Sequence, residues 1–312
     1  KKFVLRLIDE YLDKSLYDYE VVKTERTGHA TELAKEAVER GADIVCSIGG
    51  DGTVNEVASG LIHTNAALAI IPSGSGNGLA RHLRIPTDPL SAIKVLNRGL
   101  VQSMDYGTVN GRPFFCTCGV GFDAFISQKF AESGKRGPVS YMESVLNSSL
   151  SYHPETYDVE IVKNEGGEEI HQVHKAFLIS CANASQYGNN AYIAPLASME
   201  DGLMDIIIME PFYTIESALV LMQMFTKSLH KNPHVKVMRS SKIKITRPTD
   251  GAVHCDGDPF VMGREITVEL IKGKFRVVTP LVEESSIREE GRKALKNLAD
   301  ICLEILNVKH KK

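Results

Sequence analysis

The sequence predicts an α/β domain with a doubly wound parallel sheet, followed by an antiparallel β domain. Continuous apolar runs alternate with amphipathic stretches up to about Asp105, and short alternating runs separated by turn residues follow it. A length of 312 residues fits two domains, at 1–105 and 106–283. In the first, Ala30, Leu33, Ala34, Ala37 and Val38 recur at helical spacing and stop before Gly41, a left-handed cap. "ADIVCSI" reads as a buried strand, Val54 to Leu61 as a short amphipathic helix, and "AALAIIP" as a second buried strand. "DPLSAIKVLNRG" is a helix capped by Asp88, with Pro89 at its first position and Gly99 past its end. Helices between fully apolar strands imply a parallel sheet covered on both faces.

In the second domain the runs "PFFCTCGV", "YDVEIVK", "HKAFLISC", "MDIIIME", "VKVMR", "SKIKIT", "REITVELI" and "KFRVVT" predict an antiparallel sandwich or barrel. Helices are expected around Phe122 to Glu132 and Thr214 to His230. A closing helix over 286–309, opened by a capping box of Ser286 and Glu289, is expected to pack back on the first domain.

Composition excludes several roles. Lysine and arginine total 36 against 39 acids, a formal net charge of −3, so no global field favours nucleic acid and any anion must be held locally. The six cysteines are scattered, mostly in apolar runs, which fits reduced thiols and a cytoplasmic setting. Cys116 and Cys118 lack further ligands nearby, so no zinc site is expected. No histidine shows ligand spacing, "HVKVMRSSKIKITR" reads as a wet sheet face, and Lys135 and Arg136 as a solvated basic loop. No apolar run approaches the ~20 residues that cross a bilayer, so membrane contact is expected to be peripheral.

The stretch "SIGGDGTVNEVASG" places Gly49, Gly50 and Gly52 between a buried strand and a helix, where backbone amides and a helix N-terminus face an anion. A carboxylate beside phosphates, here Asp51, holds magnesium or accepts a proton. Thr53 and Asn55 add hydrogen-bonding groups and Glu56 a further carboxylate. A second cluster, Ser73, Gly74, Ser75, Gly76 and Asn77 in "PSGSGNGLARHL", falls at the same sheet edge as the opposite wall of a nucleotide cleft. Neither loop has the spacing of a P-loop or of a dinucleotide fingerprint.

"GGDGTVNEVASGL", "PSGSGNGLAR", "SMEDGLMDI" and "CDGDPF", in this order, resemble the diacylglycerol kinase catalytic family, which includes sphingosine kinases and soluble bacterial lipid kinases. "GSGNGLA" is similar to the sphingosine-kinase version. The resemblance implies a Rossmann-like nucleotide domain, a β-sandwich lipid domain, and transfer of the ATP γ-phosphoryl group to a lipid hydroxyl with Mg2+. It places Gly50, Asp51, Gly52 and Thr53 at the triphosphate, with Arg81 neutralising phosphate charge. Asp256 is expected as the base and Asp51 at the phosphates and metal, although either carboxylate suits either role. Asp258 stands where the family has glutamate and is grouped with the nucleotide residues. Asp105 and Asp123 fall where the family has lipid-site or domain-junction carboxylates. "MEDGLMD" resembles a structural cation site that uses Asp201 and the Leu203 carbonyl, with Ser198 where those members have aspartate. The family pattern opens with a buried strand and a Ser-Gly loop that do not precede "KKFVLRLIDEYL" here and are expected on a longer chain.

The expected partners are a nucleotide and a lipid, with no nucleic acid, a transient membrane-surface association and room for a homodimer. Two other readings compete: a soluble-metabolite kinase of the NAD kinase type, and a lipid- or nucleotide-binding protein without catalysis.

Overall fold

Strands β1 (Ile44–Gly49) and β2 (Ala67–Pro72) pair in parallel, as apolar strands joined through a helix do. The computed structural model describes residues 2–133, 138–149, 151–162 and 169–281. Helices α1 (Lys2–Tyr11), α2 (His29–Glu39), α3 (Asp51–Leu61), α4 (Gly78–His82) and α5 (Pro89–Arg98) complete the first part. Leu68 and Ile70 of β2 join Val54, Val57 and Leu61 of α3 in one core, whereas Ala67 and Ala69 turn to Val95 and Leu96 of α5. The strand is therefore buried on both faces. Gly41 is left-handed at φ +89°, and Asp88 caps α5 by accepting the Ser91 N–H at 2.9 Å.

The second part is two antiparallel sheets with a core between them. The chain continues through β3 (Leu100–Val109), β4 (Arg112–Phe114), β5 (Thr117–Gly121), α6 (Phe122–Ser133), α7 (Pro138–Ser149), β6 (Glu155–Ile161), β7 (Ile170–Ala176), β8 (Leu178–Ala182) and β9 (Met204–Met209). Helix α8 (Ser217–Phe225) precedes β10 (Val235–Ser240), β11 (Lys242–Thr246), β12 (Gly251–Cys255), β13 (Asp258–Met262) and β14 (Glu265–Thr279). One sheet runs β10-β9-β8-β5-β12-β13 and the other β1-β2-β14-β11-β6-β7, with β3 and β4 also attached through β14. Alternation within β9 sends Met204, Ile206 and Ile208 into the inter-sheet core, and Ile207 and Met209 into a cluster with Phe122, Ile126 and Val220 of α6 and α8.

The structure differs from the expectations at several places. "REITVELI" and "KFRVVT" are one strand, β14, with a bulge between Ile271 and Phe275 where Gly273 is left-handed at φ +62°. Strands β3, β12 and β13 and helix α7 appear where no element was assigned. The helix expected over Thr214 to His230 is confined to Ser217–Phe225 and flanked by 3₁₀ turns, because Lys227 leaves helical geometry at φ +59°. The expected 286–309 helix and the Lys135–Arg136 loop lie outside the described residues. The basic stripe is a wet sheet face: Lys236 pairs with Glu210, Lys242 with Glu269 and Lys244 with Glu265.

Strand β14 joins the two parts. Val277 pairs with Leu68 of β2 in parallel, and the same strand runs antiparallel to β3 and β11. Asp105 of β3 holds this junction, its carboxylate accepting the Gly202 N–H and, at the bulge, the Gly273 N–H, each at 2.7 Å. Replacing Asp105 with alanine leaves both N–H groups without their acceptor, at a cost of about 3 kcal/mol. Urea denaturation of the variant measures this, and a loss below about 0.5 kcal/mol, typical of an ordinary surface site, rules out the pinning role.

Candidate active site

Strand β1 ends on Gly49 and helix α3 starts at Asp51, with Gly50 as N-cap and no side chain capping the helix. The first amides of an α-helix have no intrahelical acceptor, so those of α3 are left for an anion. The second glycine loop is arranged differently. Asp51 reaches across to it, Oδ2 accepting the Asn77 N–H at 2.8 Å and Oδ1 the Gly78 N–H at 2.6 Å. The amides that open α4 are thus occupied by a carboxylate from the first loop. The two loops therefore differ: one helix start is open, while the amides of the other are occupied and its Ser75 and Gly76 wall the cavity.

The glycines make that contact possible. A Cβ on Gly74 would lie 2.5 Å from Cα of Gly50, and one on Gly76 would lie 2.6 Å from Oδ2 of Asp51. The two loops touch backbone to backbone. Asn77, itself left-handed at φ +52°, closes its own turn through both side-chain amide atoms on Gly74. A third loop packs on the other side, where Asn189 donates its N–H to the Gly76 carbonyl at 3.0 Å. Arg81 donates through Nε to the same carbonyl and through its guanidinium to Asn190 Oδ1. It ties the second loop to the third.

"CDGD" forms a two-residue hairpin between β12 and β13, with Asp256 at φ +50° and Gly257 at φ +87°, as strand twist demands. The turn folds the Asp256 carboxylate inward. Oδ1 accepts the N–H groups of Cys116 (2.7 Å) and Thr117 (3.0 Å), and Oδ2 that of Phe115 (2.8 Å) and the Asn55 side-chain amide (2.6 Å). A carboxylate has about four acceptor sites, and here all four are filled. Burial pushes this carboxyl above its ordinary range, with the four donors opposing it. Asp258, two residues on, accepts no hydrogen bond at its side chain among the described residues. Partial enclosure raises its pKa, Glu56 and Asp51 add to that, and Arg112 and His254 oppose it.

Asp123 opens α6, is 4% exposed, and accepts the Tyr187 hydroxyl at 2.7 Å. His254 is buried beside it, with Nε2 at 3.1 Å from Asp123 Oδ2 but off the hydrogen-bond axis. Its Nδ1 accepts the Gly257 N–H at 3.3 Å, so the proton of a neutral ring sits on Nε2, facing Asp123. His254 and Tyr187 carried no assignment in the sequence. The signal for His254 was its spacing: on a strand entering the turn, positions 254 and 256 share a face.

These groups enclose a cavity of about 390 Å³. Asp51, Asn55, Ser75 and Gly76 line it from the first part, and Asp123, Asp256 and Asp258 from the second, with Phe130 and Phe225 as apolar walls. Among the described residues, no lysine or arginine is in the lining. Of the other expected nucleotide residues, Gly49, Gly50, Gly52, Thr53, Ser73, Gly74, Asn77 and Arg81 are not in the lining. Glu56 caps α2, accepting the N–H groups of Gly28 and Ala30. Asp105, expected at the lipid, is not brought to the cavity, because its oxygens are taken up at the β14 bulge. Asp201 and Leu203 also lie apart. Asp201 pairs with Arg239, which bonds Asp205 as well, and accepts the Leu203 N–H, so a guanidinium supplies the positive charge there.

Residues 1–109 match the diacylglycerol kinase catalytic domain, and residues 116–278 match the YegS C-terminal NAD kinase beta sandwich-like domain. An uncharacterized Synechocystis sp. protein is 29% identical over 295 residues, 89% of this chain and 66% of its own length. A Staphylococcus saprophyticus diacylglycerol kinase is 28% identical over 252 residues, 79% of this chain and 80% of that protein. The crystal structure of a diacylglycerol kinase from Bacillus anthracis has the same fold, with a TM-score of 0.66 at 21% identity over 88% of this chain and 91% of that one.

The loop contact makes a sharp contrast between two glycines. Gly74→Ala drives a methyl into Gly50 and is expected to cost about 2 kcal/mol or more by the usual penalty of overpacking. Gly52→Ala meets nothing within 4 Å and is expected to be neutral or stabilising. Thermal melts of the two variants decide it, and equal melting temperatures rule out the backbone contact.

Proposed function

This chain belongs to the diacylglycerol kinase catalytic family, a family of kinases, and on that premise we propose that it transfers the γ-phosphoryl group of ATP to the hydroxyl of a lipid alcohol. The observation that carries the reading is one cavity lined both by the first turn of α3, through Asp51, Val54 and Asn55, and by the apolar side chains Phe130, Ala131 and Phe225. A phosphate fits the first and a hydrocarbon chain the second.

The amides at the start of α3 hold the phosphates. Among the described residues the lining offers them no lysine or arginine, and a metal would supply the balancing charge. Mg2+ is commonly bound by one or two carboxylates together with substrate phosphates. Asp51 fits that pattern, since each of its oxygens has one acceptor site left after the Asn77 and Gly78 bonds. When bound, the ion would neutralise charge on the transferring group.

Asp256 is unsuited to the base role expected of it, because a saturated carboxylate has no lone pair for a substrate proton. Asp258 takes that role. The lipid oxygen attacks the γ-phosphorus as the bond to the β-phosphate oxygen breaks, and its proton passes late to Asp258 while ADP leaves. Asp256 positions this base by fixing the turn against Asn55 and Phe115–Thr117. Asp123, held by Tyr187 and His254, receives the polar head of the lipid.

The test is transfer from γ-labelled ATP with magnesium to diacylglycerol or sphingosine in mixed micelles, with NAD as a soluble acceptor. Label on lipid is the expected result, label on NAD points to the metabolite kinase, and nucleotide binding without transfer points to a binder. Asp258→Asn is expected to lower kcat by about 10²- to 10⁴-fold with the fold intact. Asp256→Ala is expected to lose about 3 kcal/mol of stability by leaving buried donors unpaired. A base must be deprotonated, and the Asp258 pKa is raised. Activity is therefore expected to fall on acidification at a pH above the ordinary aspartate pKa of about 3.9. A kcat profile flat down to that pH removes Asp258 from the role.

A further inference from the structure

Helix α8 is apolar on two sides. Val220 faces the core at 7% exposure, and Phe225, at the end of the helix, lines the cavity. The opposite side faces water: Ile215 is 89% exposed, Leu219 44% and Met222 49%, with Tyr213 beside them at 80%. Leu219 and Met222 are spaced i and i+3 on one face of α8, and Tyr213 and Ile215 stand just ahead of it, Ile215 in the preceding 3₁₀ turn. No charged residue occurs between Glu216 and Lys227. Glu216 is turned away from the stripe, accepting the Tyr213 N–H at 2.8 Å and facing His234. Lys227 and Lys231 are exposed just past the cavity end of the helix, with Lys227 over the Tyr192 ring.

We infer that the stripe of Tyr213, Ile215, Leu219 and Met222 is the surface by which this protein enters the headgroup boundary of a lipid bilayer. The inference rests on the lipid-kinase reading and adds the route by which the substrate arrives. Three observations select a bilayer as the occupant. The patch is made of four side chains, two of them only about half exposed, far short of the ~20–30 residues a side with which a stable protein pair is built. The stripe is uncharged, while lysines stand at one end, the order of groups met on passing from acyl chains to phosphates. The helix that carries it also walls the cavity through Phe225, so the stripe and the cavity are separated only by the width of one helix.

The chain contains no tryptophan, so Leu219→Trp in the full chain gives a single reporter at the centre of the stripe. Unilamellar vesicles of phosphatidylglycerol and phosphatidylethanolamine are expected to shift its emission to the blue, and brominated acyl chains to quench it. Adding Ile215→Glu and Met222→Glu is expected to weaken vesicle partitioning by roughly tenfold or more, since two apolar side chains lose their burial. The melting temperature of that variant is expected to be unchanged, because both positions are exposed. Emission that stays water-like on vesicles overturns the inference, and so does a blue shift that appears without vesicles and grows with protein concentration, which assigns the face to a second copy. The readout is independent of catalysis. Lipid phosphorylation with a silent reporter sinks the docking surface alone, whereas insertion without phosphorylation supports docking and sinks the kinase reading.

Discussion

Four N–H groups from two separate stretches of chain converge on the carboxylate of Asp256, and the cavity keeps its shape because they do. A buried irregular backbone must find acceptors for its amides, and in this molecule acidic side chains repeatedly supply them. Asp51 serves the start of α4, Glu56 the start of α2, and Asp105 the bulge in β14. Each acts between segments that are distant in sequence. Removing any one leaves its donors without an acceptor, so these acids constrain the fold more tightly than their number suggests.

The same requirement sorts the acids at the cavity by function. A carboxylate whose lone pairs are taken by N–H groups is a poor proton acceptor, however well it is placed. Asp256 is of this kind, Asp51 is half engaged, and Asp258 is free of hydrogen bonds among the described residues. Partial burial then separates the last from an ordinary surface aspartate by disfavouring its charged form, with Glu56 and Asp51 adding to it against Arg112 and His254. Three acids within eight positions of two short motifs thereby acquire different chemistry from their surroundings.

Where a local pattern reports a local cause, the sequence was legible. The parallel pair, the Asp88 cap and the Gly41 terminus followed from residues within one or two turns of each other. The two glycine loops were placed at one edge of the sheet, but their glycines were read as room for phosphate, whereas much of that room is taken by the opposite loop. Nothing near Asp51 marks Asn77 and Gly78 as its partners, and nothing near Asp256 marks Phe115 to Thr117. Such contacts are made by tertiary structure and leave no periodicity. The "KGK" in β14 looked like a turn because a bulge and a turn both use a left-handed glycine. His254 was passed over because metal-ligand spacing was the wrong template for a residue that fixes a turn through Nδ1.

Strand β14 sets the order in which the molecule can be completed. Its pairing with β3 joins Leu100 to Thr279, and its end lies beside β2. The sheet begun by the first hundred residues therefore stays open at that edge until nearly all of the described chain has been synthesised. Contacts of such sequence separation slow folding, and they tie the early and late parts of the chain into one sheet. On the ribosome, the nascent first half presents β2 as an unfinished edge, open to strand exchange or chaperone capture until its distant partner emerges.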